Sequence, residues 1–195
     1  LLSLQLSSTL MGAIKSPTPV KFLIAMLVAP DGMDKIDLFD TALEQQFGPI
    51  DLKSQNWPFD LTDYYTPEMG PNLTRRFVSF ENLIDPDRLS QAKITTNTIE
   101  EQLTKQFRNQ NSGRIVNLDA GYLTLSQFVL ATTKNYSHRL YIGQGIWAEI
   151  TLRYQKGKYI KWEWTYPDYA DGRYNDFLIR VREKLKSQLP PKSIQ

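Results

Sequence analysis

The stretch VKFLIAMLV, residues 20–28, decides the fold, because it is apolar at all but one of its positions. A run this short and this apolar predicts a strand that is buried on both faces of a sheet. Residues 35–47 follow with apolar side chains at spacings of three and four, which indicates a helix. We expect Asp34 to cap that helix and Gly48 to end it. Residues 50–55 then predict a short second strand.

Two more strands and a long helix are predicted further along. Residues 57–71 contain three prolines and no regular period, which indicates an irregular loop, and residues 74–80 alternate as a third strand. A helix is predicted over residues 85–108, with a break or bend at the threonine-rich run 95–98. Residues 114–118 predict a fourth strand. The order β-α-β-β-α-β is that of a ferredoxin-like α+β fold, in which both helices cover the same face of one sheet.

The second half of the chain is predicted to be an antiparallel β-meander followed by a helix. A short strand at residues 128–133 precedes three predicted meander strands, at residues 139–142, 146–154 and 159–166. In the middle strand of the meander, strict alternation places Ile146, Ala148, Ile150, Leu152 and Tyr154 on one face and Trp147, Glu149, Thr151 and Arg153 on the other. Residues 174–189, apolar at every fourth position, predict the C-terminal helix. We expect one domain over residues 1–195, with an N-terminal extension at 1–16 and a frayed tail at 190–195.

Composition excludes several classes of protein. The chain has no cysteine, which excludes disulfide scaffolds, cysteine-ligated metal centres and thiol catalysis, and its single histidine excludes a His-rich metal site. With 23 basic and 21 acidic residues the net charge is +2, which gives no general reason to expect nucleic acid or an anionic membrane as a partner. No phosphate-binding P-loop or nucleophile elbow is present. Without a secretory signal or a membrane-spanning run, we expect a cytoplasmic protein.

The loop at residues 57–71 is the first candidate for function, since long loops without a period are often functional and its aromatic residues argue against disorder. Asp60, Asp63 and Glu68 are candidate ligands of a hard cation such as Mg²⁺. The alternative is that these acids cap turns while the aromatic residues cover a core edge. Arg75 and Arg76 come next on a strand, so only one of them can face an anion site.

Two later segments are also candidates. Residues 117–124 contain Asp119 and Gly121, which suit a tight turn. Residues 132–139 place Lys134, His138 and Arg139 among several hydroxyl side chains, a composition suited to binding phosphate or carboxylate. The alternative for His138 is a structural residue held by hydrogen bonds.

Several short motifs occur in order along the chain, at residues 11–12, 17–21, 58–65, 68–70, 119–125, 129–134, 138–139, 149–152 and 164–169. Together they resemble the bacterial domain of unknown function 4416 family over about residues 11–185. One departure is Ala120, at a position where the family pattern has proline. The resemblance implies a bacterial cytoplasmic protein and no particular activity.

The leading hypothesis is a protein that binds, or acts on, a small anionic ligand that is phosphorylated or nucleotide-like. The candidate catalytic residues are His138, Asp63 and Glu149. The candidate ligand-binding residues are Arg76, Lys134, Arg139, Tyr64, Tyr65, Asp119 and Tyr122. The alternatives are an RNA-binding module that uses the aromatic and basic face of the meander, and a structural or partner-binding protein without catalysis. The sequence leaves the oligomeric state open.

The candidate residues are predicted to share one cleft. Asp63 and Tyr65 lie in the aromatic loop, Lys134 and His138 precede the meander, and Glu149 lies on its polar face. We expect these five side chains to meet around a single site. If the meander begins at His138, adjacent residues alternate, and only one of His138 and Arg139 faces that site.

Overall fold

The structure, a computed structural model, describes residues 14–108 and 113–191. The strands are β1 (Val20–Val28), β2 (Ile50–Lys53), β3 (Trp57–Pro58), β4 (Thr74–Ile84), β5 (Val116–Leu123), β6 (Gln127–Thr132), β7 (Leu140–Gly143), β8 (Ile146–Gln155) and β9 (Lys158–Lys161). The helices are α1 (Ile36–Phe47), α2 (Thr66–Met69), α3 (Leu89–Gln106), α4 (Pro167–Ala170) and α5 (Asn175–Gln188). Most of the predicted N-terminal extension, most of the turn after residue 108 and most of the predicted tail lie outside the described residues.

The first half has the predicted ferredoxin-like topology. Its strands lie in the order β2-β4-β1-β5, and every neighbouring pair is antiparallel. Phe39 of α1 and Leu103 of α3 belong to one buried cluster with Ile24 of β1 and Val78 of β4. Both helices therefore cover the same face of the sheet, and the predicted α+β class and arrangement are confirmed.

The second half extends the same sheet. β6 pairs with β5, β8 pairs with β6, and β7 and β9 pair with β8. The opposite face of the sheet is covered by α5, whose Phe177 and Val181 form a second buried cluster with Leu23 of β1 and Phe77 of β4. The sheet thus lies between two helical layers, which is why VKFLIAMLV is buried along its whole length.

Residues 117–124 do not form the predicted turn; most of them belong to β5. Gly121 lies in the strand because β6 approaches it closely. A Cβ atom at this position would be 2.6 Å from the carbonyl oxygen of Val129 and 2.7 Å from a methyl group of Leu130. The glycine is therefore explained by a close approach between strands rather than by a turn.

The strict alternation predicted for β8 is wrong beyond Ile150. Val129 pairs with Ile150 but Phe128 pairs with Leu152, so one residue of β8 is bulged out of the ladder. Ile150 consequently packs with the cluster beneath α1 and α3, whereas Leu152 packs with the cluster beneath α5. A β-bulge reverses which face later side chains occupy, and sequence alternation cannot reveal it.

Three smaller differences have local causes. α1 continues from a 3₁₀ turn at Pro30–Lys35, so Asp34 does not cap it. α3 runs unbroken through residues 95–98, where Thr95 and Thr98 donate to backbone carbonyls four residues earlier. The strand predicted over residues 159–166 ends at Lys161. The backbone N–H of Trp162 donates to the Thr165 hydroxyl instead of to a strand, and this hydroxyl donates to the carbonyl of Thr151 in β8.

Candidate functional site

A pocket opens where β5 and β6 separate. The two strands pair over only three positions, Gly121–Leu123 against Phe128–Leu130. Beyond these pairs, the first half of β5 and the end of β6 form opposite walls of a pocket of about 250 Å³. The remaining walls come from α3, from the loop around α2, from Arg75 of β4, from Glu149 of β8, from the segment between β6 and β7, and from the start of α4.

Charged side chains of α3 satisfy the edge of β5 that β6 leaves unpaired. The Glu100 carboxylate accepts the backbone N–H of Leu118 at 2.6 Å, and Lys93 Nζ donates to the carbonyl of Leu118 at 2.9 Å. Arg114 pairs with Glu100 at 2.6 Å. Burial raises the pKa of Glu100, although Lys93 and Arg114 act in the opposite direction. Ionic side chains therefore replace strand pairing along this wall of the pocket.

Arg75 of β4 lies in the buried wall of the pocket. Its Nη2 pairs with Asp168 of α4 at 3.2 Å, its Nη1 is 3.8 Å from Asp119 of β5, and its guanidinium lies over the rings of Phe59 and Tyr169 at 5.1 and 5.5 Å. Burial acts to lower the pKa of Arg75, but Tyr169, Asp168 and Asp119 raise it overall, so the guanidinium stays charged.

Three donors in this wall have no acceptor among the described residues. Arg75 Nε, Arg75 Nη1 and the hydroxyl of Tyr169 are buried and make no hydrogen bond. Arg75 is 3% exposed and Tyr169 is 5% exposed. Buried donors in native proteins are nearly always paired, so three unpaired donors beside one pocket are an unusual feature of this wall.

Lys134 lies at the mouth of the pocket and is exposed. Its ammonium donates to the hydroxyl of Tyr64 and lies 4.7 Å above that ring. The carbonyl of Lys134 accepts a hydrogen bond from Arg139 at 3.0 Å. Among the lining cations in the described part of the chain, Lys134 is the one for which no carboxylate partner is found.

His138 and Arg139 contact the same carboxylate. His138 Nε2 and Arg139 Nε lie 3.2 and 2.8 Å from Glu149 Oε2. Both reach it because β7 begins at Leu140, so the two residues precede the strand and do not alternate across it. The ring of His138 stacks on Trp164 with the ring centroids 5.3 Å apart. His138 thus lies behind Glu149 in a shallow surface groove, and it does not line the pocket.

The pocket brings together many of the residues proposed from sequence. Those that line it are Tyr64, Tyr65, Asp119, Lys134, Arg139 and Glu149. Asp60 and Asp63 line a neighbouring pocket instead, and Asp60 pairs with Arg173 at 2.9 Å. Within residues 14–108 and 113–191, no cluster of three or more histidine, aspartate or glutamate side chains is arranged to hold a metal ion.

Two of the proposed ligand-binding residues do not line the pocket. Arg76 forms an ion pair with Asp40 of α1 at 2.7 Å, so it is Arg75 that faces the pocket. Tyr122 packs against the cluster beneath α1 and α3, because it lies three positions from Asp119 on a strand and therefore points the other way. Burial raises the pKa of Tyr122.

A second group of lining residues is not among the candidates proposed from sequence; it comprises Arg75, Lys93, Glu100, Arg114, Asp168 and Tyr169. Asp168 and Tyr169 belong to the motif at residues 164–169. This motif contributed to the family resemblance, but it indicated no role for either residue. Arg75 lies on the same face of β4 as Phe77. Because β4 is buried on both faces, burial alone does not show whether Arg75 or Arg76 lines the pocket. The sequence around Lys93 and Glu100 of α3 does not indicate their role, because they bind the backbone of β5, which begins ten positions after the helix ends.

The chain matches a family model among known proteins. The family model described as Domain of unknown function (DUF4416) matches residues 18–185, in agreement with the resemblance seen in the motifs. No curated protein and no solved structure matches the chain. No helix in the described part of the chain combines the length and hydropathy that crossing a bilayer requires.

Proposed function

Because the chain belongs to the DUF4416 family of domains of unknown function, its family names no activity, and we propose from the pocket that the protein binds a small anionic ligand. The negative group of this ligand contacts Arg75, and Lys134 approaches it from the mouth. The phosphorylated or nucleotide-like character, the bacterial origin and the cytoplasmic location stay predictions.

The observation behind this proposal is the set of unpaired donors on Arg75 and Tyr169. Leaving a buried donor without an acceptor costs about 1–3 kcal/mol, and more when the group is charged. An oxyanion offers several acceptor sites at once and complements a guanidinium in charge. A bound anion would therefore offset the energetic penalty of these unpaired donors.

Lys134 gives a second, independent support. Its ammonium has a hydroxyl partner rather than a carboxylate, so it can pair with a ligand without giving up an ion pair. The other lining cations already hold carboxylates, Lys93 with Asp119 at 3.4 Å and the remaining three at the distances given above. An incoming anion thus has one cation ready at the mouth and unpaired donors in the buried wall.

Binding is better supported than catalysis. Glu149 is 4% exposed, and its Oε2 already accepts from His138 and Arg139. Such a carboxylate holds Arg139 and His138 in place, which is a positioning role. Asp63 lies in the neighbouring pocket, so the three candidate catalytic residues do not surround one reacting position.

The RNA-binding alternative receives less support. The rings of Trp162, Trp164 and His138 stack on one another at successive centroid distances of 5.3 Å, and Arg153 lies 4.2 Å above the Trp162 ring. Their faces are therefore covered by one another, whereas a platform for bases needs open ring faces.

A thermal-shift screen tests the proposal. Wild type is screened against inorganic phosphate, sugar phosphates, nucleotides, carboxylates and divalent cations, and each stabilising compound is repeated on Lys134→Gln and Arg75→Lys. We expect at least one anion to raise the Tm of wild type, and we expect that shift to shrink in both variants. Lys158→Gln, an exposed lysine outside the pocket, is the matched control and should keep the full shift.

Two results would overturn the proposal. One is a screen in which no anion stabilises wild type. The other is a stabilising anion whose effect is the same in wild type, Lys134→Gln and Arg75→Lys. Lys134 is exposed, so its variant folds even if Arg75→Lys is too unstable to interpret.

A further inference from the structure

We propose, on the premise of the anion binding argued above, that the ligand is a carboxylate with a single negative charge attached to a planar ring. The carboxylate contacts the donors of Arg75 and Tyr169 within reach of Lys134, and the ring packs on the aromatic side chains at the mouth. Two independent features of the pocket support this class: the balance of its charges and the placement of its aromatic residues.

The charges that line the pocket cancel. Five cations line it, Arg75, Lys93, Arg114, Lys134 and Arg139, and so do five carboxylates, Glu68, Glu100, Asp119, Glu149 and Asp168. Four of these cations hold all five carboxylates, since Arg114 pairs with both Glu68 and Glu100, which leaves Lys134 as the counter-ion for a ligand. Lys134 can therefore pair with one negative charge of a ligand, and the described lining holds no further cation without a carboxylate partner for a second charge.

The surroundings of Arg75 also disfavour a doubly charged group. Asp168 and Asp119 lie 3.2 and 3.8 Å from its nitrogens, so any anion that reaches Arg75 comes close to two carboxylates. Repulsion between like charges grows with the charge of the ligand and is strong where water is excluded. A carboxylate meets the unpaired donors with half the charge of a fully ionised phosphate monoester.

Aromatic residues extend from the buried wall to the mouth. Phe59 and Tyr169 flank Arg75, Tyr65 lies beside Phe59 with the ring centroids 5.9 Å apart, and Tyr64 and Tyr166 are 60% and 48% exposed. The hydroxyl of Tyr64 accepts a hydrogen bond from Lys134, and Tyr166 lines the pocket beside Arg139. Both exposed rings thus lie next to a cation of the pocket, and they offer apolar surface to a planar ligand.

The size of the pocket limits the ligand further. Its volume of about 250 Å³ lies below the range of about 300–1,000 Å³ that is usual for drug-sized ligands. One ring with a short carboxylate arm suits that volume better than a dinucleotide does.

Titrations followed by ¹H–¹⁵N NMR spectra test this class, because they measure weak binding of simple probes. The probes are benzoate, acetate, cyclohexanecarboxylate, phenyl phosphate and inorganic phosphate. We expect benzoate to bind about tenfold more tightly than acetate, the factor that one stacked ring contributes. Cyclohexanecarboxylate, which has a ring but no flat face, and phenyl phosphate, which has the ring but more charge, should both bind more weakly than benzoate.

Variants at the mouth locate the ring. Tyr64→Leu and Tyr166→Leu should each reduce the advantage of benzoate over acetate, measured as the ratio of the two dissociation constants within the same variant. Tyr141→Leu is the matched control, since Tyr141 is 62% exposed and lies outside the pocket. It should leave all affinities unchanged.

The outcomes separate this inference from the proposed function. If phenyl phosphate binds more tightly than benzoate, or benzoate binds no more tightly than acetate, the class is wrong while anion binding stands. The class is also wrong if the benzoate advantage persists in both tyrosine variants. If none of the anionic probes binds and the thermal-shift screen also finds no anion, the proposed function fails together with the inference.

Discussion

Arg75 and Arg76 are adjacent on β4 and form ion pairs on opposite faces of the sheet. Arg75 pairs with Asp168 at 3.2 Å in the wall of the pocket, whereas Arg76 pairs with Asp40 of α1 through both nitrogens at 2.7 and 3.2 Å. Strand alternation therefore gives one arginine to the pocket and the other to the core beneath α1.

Arg76→Met should destabilise the fold without weakening anion binding. The substitution leaves the buried Asp40 carboxylate with Lys53, at 2.8 Å, as its remaining cation. Breaking a buried pair from one side costs about 3–5 kcal/mol, and Lys53 should place the loss near the lower end of that range. Urea unfolding measures the loss. Adding Asp40→Leu to Arg76→Met should restore stability, and a double variant as unstable as the single one would contradict this account.

Gly121→Ala should destabilise the junction of β5 and β6. The added methyl group would lie 2.6 Å from the carbonyl oxygen of Val129, so β6 must move away from the three positions at which it pairs with β5. Overpacking of this kind typically costs about 1–3 kcal/mol. Chemical denaturation gives the value, and amide hydrogen exchange at Leu123 should become faster. A variant as stable as wild type would show that the close approach does not constrain this position.

Glu100 should make stability depend on pH in a defined direction. Because burial raises its pKa above the ordinary 4.5, the folded protein holds this proton at pH values where the unfolded chain has lost it. The contribution of this group to the free energy of unfolding is then full below the ordinary pKa and is lost as the pH rises through the folded pKa.

The comparison with Glu100→Gln isolates that contribution, since glutamine accepts the same backbone N–H but does not titrate. We expect wild type to lose stability relative to Glu100→Gln as the pH rises from about 4. Unfolding curves of both proteins at several pH values provide the measurement. A difference that stays constant with pH, or that grows in favour of wild type, would refute the predicted sign.

Arg139→Met should be more damaging than His138→Gln. Arg139 holds Glu149 Oε2 at 2.8 Å and the carbonyl of Lys134 at 3.0 Å, so its loss leaves a buried carboxylate without its strongest partner. Glutamine at position 138 keeps a donor for Glu149. We expect Arg139→Met to lose about 2–3 kcal/mol and His138→Gln to lose less than half of that.

Thermal unfolding of both variants, with and without an anion found in the screen, gives the comparison. Arg139→Met should also weaken anion binding, because Arg139 lines the mouth and orders the chain at Lys134. If His138→Gln abolishes binding while Arg139→Met leaves it intact, the assignment of these two residues is reversed.

The sequence by itself determined the four main strands and the two long helices of the first half, their order and the side of the sheet that the helices cover. Each of these follows from local patterns: the unbroken apolar run of β1, the helical spacing of α1 and α3, and the handedness of the connections between strands. The short elements β3 and α2, which lie within the predicted loop at residues 57–71, were not predicted. The order of short motifs also determined the family. Sequence composition placed Lys134, Arg139 and Tyr64 in candidate segments, and the structure brings all three to the pocket.

Only the tertiary structure decided which side chains share the site. β5 separates from β6 after three paired positions, and the bulge in β8 appears only in its register with β6. Both features depend on pairing between strands, so the hydrophobic periodicity of a single strand cannot reveal them. Arg75 could not be distinguished from Arg76, because a strand buried on both faces gives them the same hydropathy pattern. Their roles were set by the carboxylates that reach them from α1 and α4, 36 and 93 positions away in the chain.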